Sequence, residues 1–599
     1  MTAPGSPSST PASAVTGHIG AAVPYWFGSA ERPLFGWLHR PTGTVRRGGV
    51  LLCKPIGYDA LLTHRAYRRM AEAFAADGVM ALRFNYWGTG DSAGTDDDGC
   101  DFDGWLASLE AARHELERAC GGGPITMLGA RMGGTLAAIS AGARPVDQLI
   151  LWNPVANGRS YVRELRALAA LTPGAETPGA GGELEAGGFR FPAALQMAIG
   201  AVTPQSIVQA PSPRVLLLHR DDLPPPPQLG VALRGLGCGV VETAVAGYAE
   251  MMRDPHESVT PTAAIDLMRA CLIEVHPQAD VPPGPSVVPA EAQRMACADP
   301  TGSVALQETA RYFAAAVPLF GIETRRTADD DRARTIVLLN AGALHRTGPN
   351  RLYVTLAREW AALGYRVLRI DVSGTGDSEV LPTSTIGDPY SDAHPDDVAR
   401  VVALLRAETP QMHLTLAGLC SGAYLSFTAA RMGVPVERIL MINPLTFYWH
   451  PGDTLQNPPV AHFANVSYYR SALTSRDRWK RLLTGQSDFG SALRTVAAEV
   501  ARRVGVWRDR VVPTGASRGD DLGGDLRRIA EAGVQMRFVF SEGDPGRRLL
   551  DAGAGGVLSH LMQRSSVVLS LVANADHTFS NATYRLDLRR QLLHLLTAT

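Results

Sequence analysis

Leu416-Ala417-Gly418-Leu419-Cys420-Ser421-Gly422-Ala423 is the stretch on which the reading of this chain turns. An apolar run, Met412 to Leu416, leads into it, and a helix-compatible run, Ala423 to Arg431, leads out. Strand, sharp turn and helix, with a glycine two residues to either side of a reactive side chain, is the setting of a G-x-S-x-G nucleophile elbow, here with cysteine in the serine position. The glycines are needed because the nucleophile occupies a strained turn, where bulk on either flank would collide with the neighbouring strand and helix. A thiol there stands over a helix N-terminus, whose partial positive charge favours thiolate. The pattern predicts covalent acyl chemistry on sulfur.

Outward from this point, the chain repeats itself. Val79-Met80-Ala81-Leu82-Arg83-Phe84-Asn85-Tyr86-Trp87-Gly88-Thr89-Gly90-Asp91-Ser92 recurs as Tyr365-Arg366-Val367-Leu368-Arg369-Ile370-Asp371-Val372-Ser373-Gly374-Thr375-Gly376-Asp377-Ser378. Gly418 has its counterpart in Gly129, and Ile439 to Pro444 matches Leu149 to Pro154. Three matches in one order, at a slowly drifting spacing, mark two copies of one domain; the period is far too long for a solenoid. The expected division is a disordered tail over 1–19, a first domain over 20–274, a proline-rich linker over 275–302 and a second domain over 303–599. The tail is rich in Ser, Thr, Pro and Ala, without the basic start and apolar core of a signal peptide. In each copy, short apolar runs such as Val50 to Cys53 alternate with helical segments such as Arg65 to Ala76, which predicts a parallel sheet buried on both faces. Each copy also carries an insertion after its Asn-Pro, over 155–211 and about 445–535, expected to form a cap.

Bulk properties exclude several classes. At 599 residues, 45% hydrophobic and 19% charged, the chain is long enough for two or more globular domains. A net charge of -1 makes nucleic acid a poor partner. Seven cysteines without C-x-x-C spacing argue against a disulfide framework and a zinc site, and for a reducing, cytoplasmic setting. No apolar stretch is long enough to span a membrane. The Gly-Thr-Gly-Asp-Ser segments lack the third glycine and acidic residue of a dinucleotide fingerprint, so they read as tight loops after strands, and no cofactor is expected.

With elbow, loop and chain order in place, both halves resemble α/β-hydrolases. More narrowly they are similar to the serine-aminopeptidase-like hydrolases found beside exosortase systems and in natural-product gene clusters. The first half carries Gly129-Ala130-Arg131-Met132-Gly133 and Gly247-Tyr248-Ala249-Glu250-Met251-Met252-Arg253-Asp254-Pro255-His256. The second carries Asn340-Ala341-Gly342-Ala343-Leu344-His345-Arg346, the Cys420 elbow and Asp576-His577-Thr578-Phe579. The resemblance implies an α/β fold class: two tandem domains, each a mostly parallel sheet flanked by helices with an inserted cap.

In this fold the triad runs nucleophile, acid, histidine. Cys420 is the candidate nucleophile. Asp544, after the strand expected over Val534 to Phe540, sits where the family acid sits, with Glu542 and Asp576 as rivals. His577, after the strand expected over Val567 to Val572, is the candidate base. The oxyanion hole is expected to use the Ser421 backbone N–H and one from Gly342 or Ala343. His345 and Arg346 are candidates for substrate binding, or for capping a turn and pairing on the surface.

The first half places Arg131 at the nucleophile position, and an arginine is not a nucleophile. His256 and Asp221 or Asp222 remain as possible triad relics. The half reads as a degenerate structural copy; the sharper alternative is that Arg131 grips a carboxylate or phosphate, such as that of a phosphopantetheine arm. Three functions follow for the whole. The first is an acyltransferase taking an acyl or aminoacyl group from a carrier-protein or coenzyme A thioester through acyl-Cys420. It is favoured because thiol-to-thioester exchange is near thermoneutral, and because cysteine-bearing members of the fold move aminoacyl groups between carrier domains. The second is a thioesterase or esterase that admits water to the same intermediate. The third is a binding or scaffold protein without catalysis. An arginine-rich stretch, Arg502 to Arg518, is read as a solvated cap surface, with docking to an acidic carrier protein as the alternative.

Overall fold

The computed structural model describes residues 22–43, 45–170, 182–224, 228–279, 288, 290–313, 317–327, 333–381, 386–450, 453 and 520–597. The expected N-terminal tail, residues 280–287 and 289 of the proline-rich linker, residues 171–181 of the first insertion and most of the second insertion, with its arginine-rich stretch, lie outside the described residues. Contacts group residues 22–169 and 182–322 into one compact unit and 323–597 into another.

The first unit contains β1 (Ala22–Phe27), β2 (Leu34–His39), β3 (Gly49–Cys53), β4 (Met80–Phe84), β5 (Ile125–Ala130), β6 (Gln148–Trp152), β7 (Leu184–Ala186), β8 (Phe189–Phe191), β9 (Arg214–Arg220) and β10 (Gly239–Val245). Eight of them form one sheet in the order β1-β2-β4-β3-β5-β6-β9-β10, while β7 and β8 pair as a small hairpin inside the first insertion. β1, β2 and β4 run antiparallel to their neighbours in turn, and every pairing from β4 to β10 is parallel. Strands β3 to β6 are buried along their whole length. Their alternate side chains feed two different cores: Leu51, Leu82, Met127 and Leu149 enter one, and Val50, Ala81, Leu128 and Ile150 the other. Helices cover both faces, which is why these strands read as unbroken apolar runs.

The rest of the chain adds β11 (Arg294–Ala298), β12 (Ala305–Phe313), β13 (Leu319–Arg326), β14 (Arg334–Leu339), β15 (Arg366–Ile370), β16 (His413–Leu419), β17 (Arg438–Ile442), β18 (Gln535–Ser541) and β19 (Val567–Val572). Their order is β11-β12-β13-β15-β14-β16-β17-β18-β19, parallel from β15 to β19. β11 falls inside the stretch expected to be linker, and the contact division falls within β13, after Ile322, rather than at 302.

The second insertion leaves the sheet after β17 and returns before β18. Its described ends are fastened together. His450 Nε2 and Asp520 Oδ2 lie 2.8 Å apart, and Tyr448 donates its hydroxyl to Asp525 Oδ2 at 2.6 Å.

Candidate active site

β16 ends at Leu419 and the helix Ser421–Arg431 begins two residues later. Cys420 alone makes the turn, at φ 58° and ψ −113°, a left-handed conformation that L-residues rarely adopt. Three backbone contacts hold it there. Cys420 N–H donates to the Ile442 carbonyl at 2.9 Å, and the Cys420 carbonyl accepts from Ala423 and Tyr424 at 3.1 and 3.2 Å. The buried Tyr353 hydroxyl accepts Leu419 N–H at 2.8 Å. A Cβ on Gly422 would stand 2.5 Å from the Leu339 carbonyl oxygen, and one on Gly418 would stand 2.5 Å from the Gly422 carbonyl carbon. Both contacts are with backbone, which explains why this turn takes glycine on either side.

Asp544 caps the helix Pro545–Gln563, its Oδ1 accepting Gly546 N–H at 2.9 Å. Its other oxygen, Oδ2, lies 2.8 Å from His577 Nδ1. That bond puts the proton on Nδ1 and turns Nε2 toward the elbow. Nε2 is buried and meets hydrogen-bond geometry with no partner among the described residues. Even so, it lies near enough to the Cys420 thiol for the sulfur to act on it. Burial by itself lowers the imidazole pKa; the bond to Asp544, then the neighbouring Cys420 sulfur, more than reverse this and raise it to about 10. The rival acids are engaged elsewhere: Glu542 accepts Asn574 N–H, and Asp576 accepts from Thr578 and Ser580 within its own loop.

Among the described residues, the backbone N–H groups of Ser421 and Ala343 have no acceptor. Gly342 differs from expectation: its N–H donates to Ser421 Oγ at 2.8 Å, and that hydroxyl donates onward to the Asn340 carbonyl at 3.2 Å. Gly342 therefore anchors the loop, and the two amides left without an acceptor are those of Ser421 and Ala343. Arg346 also departs from its expected role. Its side chain is 1% exposed and bonds Asp371 Oδ2 and Asp377 Oδ2, each at 2.8 Å. Asp371 further accepts Arg346 N–H at 2.6 Å, Asn340 Nδ2 at 3.0 Å and Asp377 N–H at 3.0 Å. This buried node ties the Gly-Thr-Gly loop to the loop bearing Ala343, and so holds that loop in place. His345 is buried against Thr347 Oγ1 at 3.1 Å.

Tyr390, which sequence reasoning missed, stands beside the thiol. Its ring is 3% exposed. It stacks on Trp449 with centroids 4.2 Å apart and meets Tyr424 edge-on at 5.1 Å. Burial, then the charge and hydrogen bonding of the Cys420 sulfur, raise the phenol pKa. The residue lies in an irregular segment with no periodicity, so nothing in the sequence marks it.

The first unit keeps the turn and places an arginine in it. Arg131 has φ 53°, between β5 and the helix that starts with it. Its Nε contacts Asp59 Oδ2 at 3.1 Å and its guanidinium pairs with Glu164 at 2.5 Å, over the Tyr161 ring. Two carboxylates already occupy the guanidinium, which removes the ground for an anion-gripping role. His256 pairs loosely with Glu257 at 3.8 Å, and Asp222 with Arg220 at 2.5 Å, so the triad relics do not meet each other.

Among the described residues no group of three or more His, Cys, Asp or Glu is placed to hold a metal ion, and no helix is long and apolar enough to cross a membrane.

A family model described as Serine aminopeptidase, S33 (Hydrolase_4) matches residues 63–180, a segment that includes the Arg131 elbow. The fold is that of the α/β-hydrolases. Among solved structures, Est1E from Butyrivibrio proteoclasticus, with ferulic acid bound, is 18% identical, with 42% of this chain and 98% of that one covered at a TM-score of 0.33. A lidless serine hydrolase from Xanthomonas campestris is 16% identical, covering 49% and 96% at 0.26. The alpha/beta hydrolase domain-containing protein 10 from mouse is 19% identical, covering 42% and 98% at 0.29. Each match takes in nearly all of the other chain and under half of this one. No curated protein matches.

Proposed function

We propose that the second unit is an acyl-transfer site with Cys420 as nucleophile, Asp544 and His577 as its supporting pair, and a thioester as donor. The observation that carries this reading is the convergence at one elbow: Cys420 on the strained turn, and an imidazole beside it whose Nδ1 is held by Asp544 at 2.8 Å.

The raised imidazole pKa keeps His577 protonated at neutral pH, the form that accompanies a thiolate. The Cys420 thiolate attacks the thioester carbonyl, forming a new C–S bond. The developing oxyanion accepts the Ser421 and Ala343 N–H groups. Collapse breaks the original C–S bond, and the departing thiolate takes a proton from His577. An acceptor thiol then returns its proton to His577 and repeats the attack on acyl-Cys420 in reverse. Both halves exchange one thioester for another, so neither is far from thermoneutral. A phosphopantetheinyl carrier protein or coenzyme A fits as the thiol partner. The first unit serves this reading as a structural copy.

Intact-protein mass spectrometry after mixing with a panel of acyl thioesters, beside Cys420→Ala, tests the proposal. An adduct that requires Cys420 and is discharged by an added thiol is the expected result. Turnover to free acid without a lasting adduct would replace transfer with hydrolysis. Absence of both across the panel would overturn the enzymatic reading.

A further inference from the structure

Asn443 follows the last residue of β17 and is one of the few non-glycine residues in the left-handed region, at φ 43°. It is fully buried. Its side-chain amide is used three times. Oδ1 accepts Ser541 N–H at 2.8 Å, and Nδ2 donates to Ser541 Oγ at 3.1 Å and to the His577 carbonyl at 2.8 Å. Ser541 closes β18, and its carbonyl accepts Asp544 N–H at 3.1 Å. One side chain therefore grips the strand end that leads into the acid and the backbone of the histidine itself.

We propose that Asn443 is the positioning residue that sets the separation of His577 and Asp544. The inference rests on the triad reading above. Asn443 acts through the His577 carbonyl, leaving the imidazole and the sulfur untouched. Its chemistry suits the place. Asparagine tolerates the left-handed conformation better than other side-chain-bearing residues, and it offers donor and acceptor on one short arm. A carboxylate of the same size would face the His577 carbonyl with an acceptor, and glutamine would carry an extra methylene into a filled space.

The internal repeat supplies a control. Asn153 occupies the matching position after β6, at φ 44°, with its N–H on the Leu218 carbonyl at 2.8 Å, as Asn443 N–H lies on Val539 at 3.0 Å. It shares the backbone turn without an acid–histidine pair to align.

The test uses Asn443→Gly, which keeps the backbone conformation and deletes the three bonds, Asn443→Asp, which keeps the size and loses the donor, and Asn153→Gly. Two quantities are read on the full chain: the His577 titration by NMR and the rate of Cys420 alkylation by iodoacetamide at neutral pH. Asn443→Gly is expected to move the His577 pKa down from about 10, whereas the charge added by Asn443→Asp opposes that change; both variants are expected to slow alkylation by roughly 10- to 100-fold, the scale of a small misplacement of a reacting group. Asn153→Gly is expected to leave both at wild-type values. Should Asn443→Gly fail to fold, the alkylation rate of Asn443→Asp decides. Wild-type titration and alkylation in a folded Asn443 variant would overturn the inference. A wild-type His577 titrating near its ordinary value, or a wild-type Cys420 no faster than a free thiol, would instead locate the failure in the triad reading.

Discussion

The elbows at Arg131 and Cys420 share a backbone and little else. Both central residues have positive φ, 53° and 58°. In both, a buried tyrosine hydroxyl accepts the amide of the preceding residue: Tyr67 from Ala130 at 2.9 Å, Tyr353 from Leu419 at 2.8 Å. In both, the glycine two residues on faces the carbonyl end of the adjacent strand: a Cβ would lie 2.2 Å from the Lys54 oxygen at Gly133 and 2.5 Å from Leu339 at Gly422. The first unit retains this strained turn although its arginine cannot attack a carbonyl. The turn is thus imposed by the packing of helix against strands, whichever side chain occupies it. Strain at a functional site is often read as part of mechanism; here the same strain persists where no nucleophile stands.

The sharpest way to break this comparison is to exchange the occupants. Cys420→Ala is expected to abolish the thioester adduct, a loss of at least ~10³-fold in line with removal of a catalytic nucleophile. Arg131→Cys is expected to gain no adduct, since His256 and Asp222 do not pair there; mass spectrometry reads both. Next comes the backbone itself. Gly133→Ala and Gly422→Ala should each destabilise their unit by about 2–4 kcal/mol, because the added methyl meets a fixed carbonyl. Denaturant midpoints that shift for Gly422 alone would show that the two turns are not held alike. Arg131→Met, which leaves Asp59 buried without its cation, should lower the stability of the first unit by about 2 kcal/mol, less than for a fully dry pair because both groups keep some solvent. Acyl loading on Cys420 should be unaffected; a parallel loss of loading would make Arg131 part of the site.

A further test is a pH dependence. The His577 pKa is raised in the folded state, to about 10, from an ordinary value of about 6.5. Its contribution to stability is therefore fully present below about pH 6.5 and is lost as pH rises through about 10. The melting difference between wild type and His577→Gln should shrink over that window. A difference that grows with pH would mean that the imidazole is neutral in the folded state.

Much of this was legible in the sequence because α/β chains carry their reactive groups at strand ends, in chain order. The strand expected over Val567 to Val572 is β19, and the one expected over Val534 to Phe540 is β18, one residue later. Asp544 could not be separated from Glu542 and Asp576 by spacing, since all three lie in the two turns at that edge. What was illegible depends on contacts between residues far apart in the chain. Ser421 captures Gly342 N–H from 79 positions away, and neither residue type announces it. Arg346 looked like a residue facing substrate because it follows the oxyanion loop; its burial depends on Asp371 and Asp377, whose counterparts in the first unit are Asn85 and Asp91. There the corresponding link is Lys54 Nζ on Asn85 Oδ1 at 3.2 Å. Arg131 suggested an anion site until Asp59 and Glu164, from two separate helices, met its guanidinium.

The fastening at the base of the second insertion, His450 with Asp520 and Tyr448 with Asp525, bears on how such a chain can be re-engineered. An exposed ion pair of this kind contributes only about 0–1 kcal/mol, but it brings the two stems of the inserted segment to one point beside β17 and β18. Closing a longer or shorter segment across stems that already touch adds little entropy, on the order of 0.6 kcal/mol for each doubling of length. A change in the length of the segment between His450 and Asp520 is thus expected to leave the strand ends that carry Asn443 and Asp544 in register.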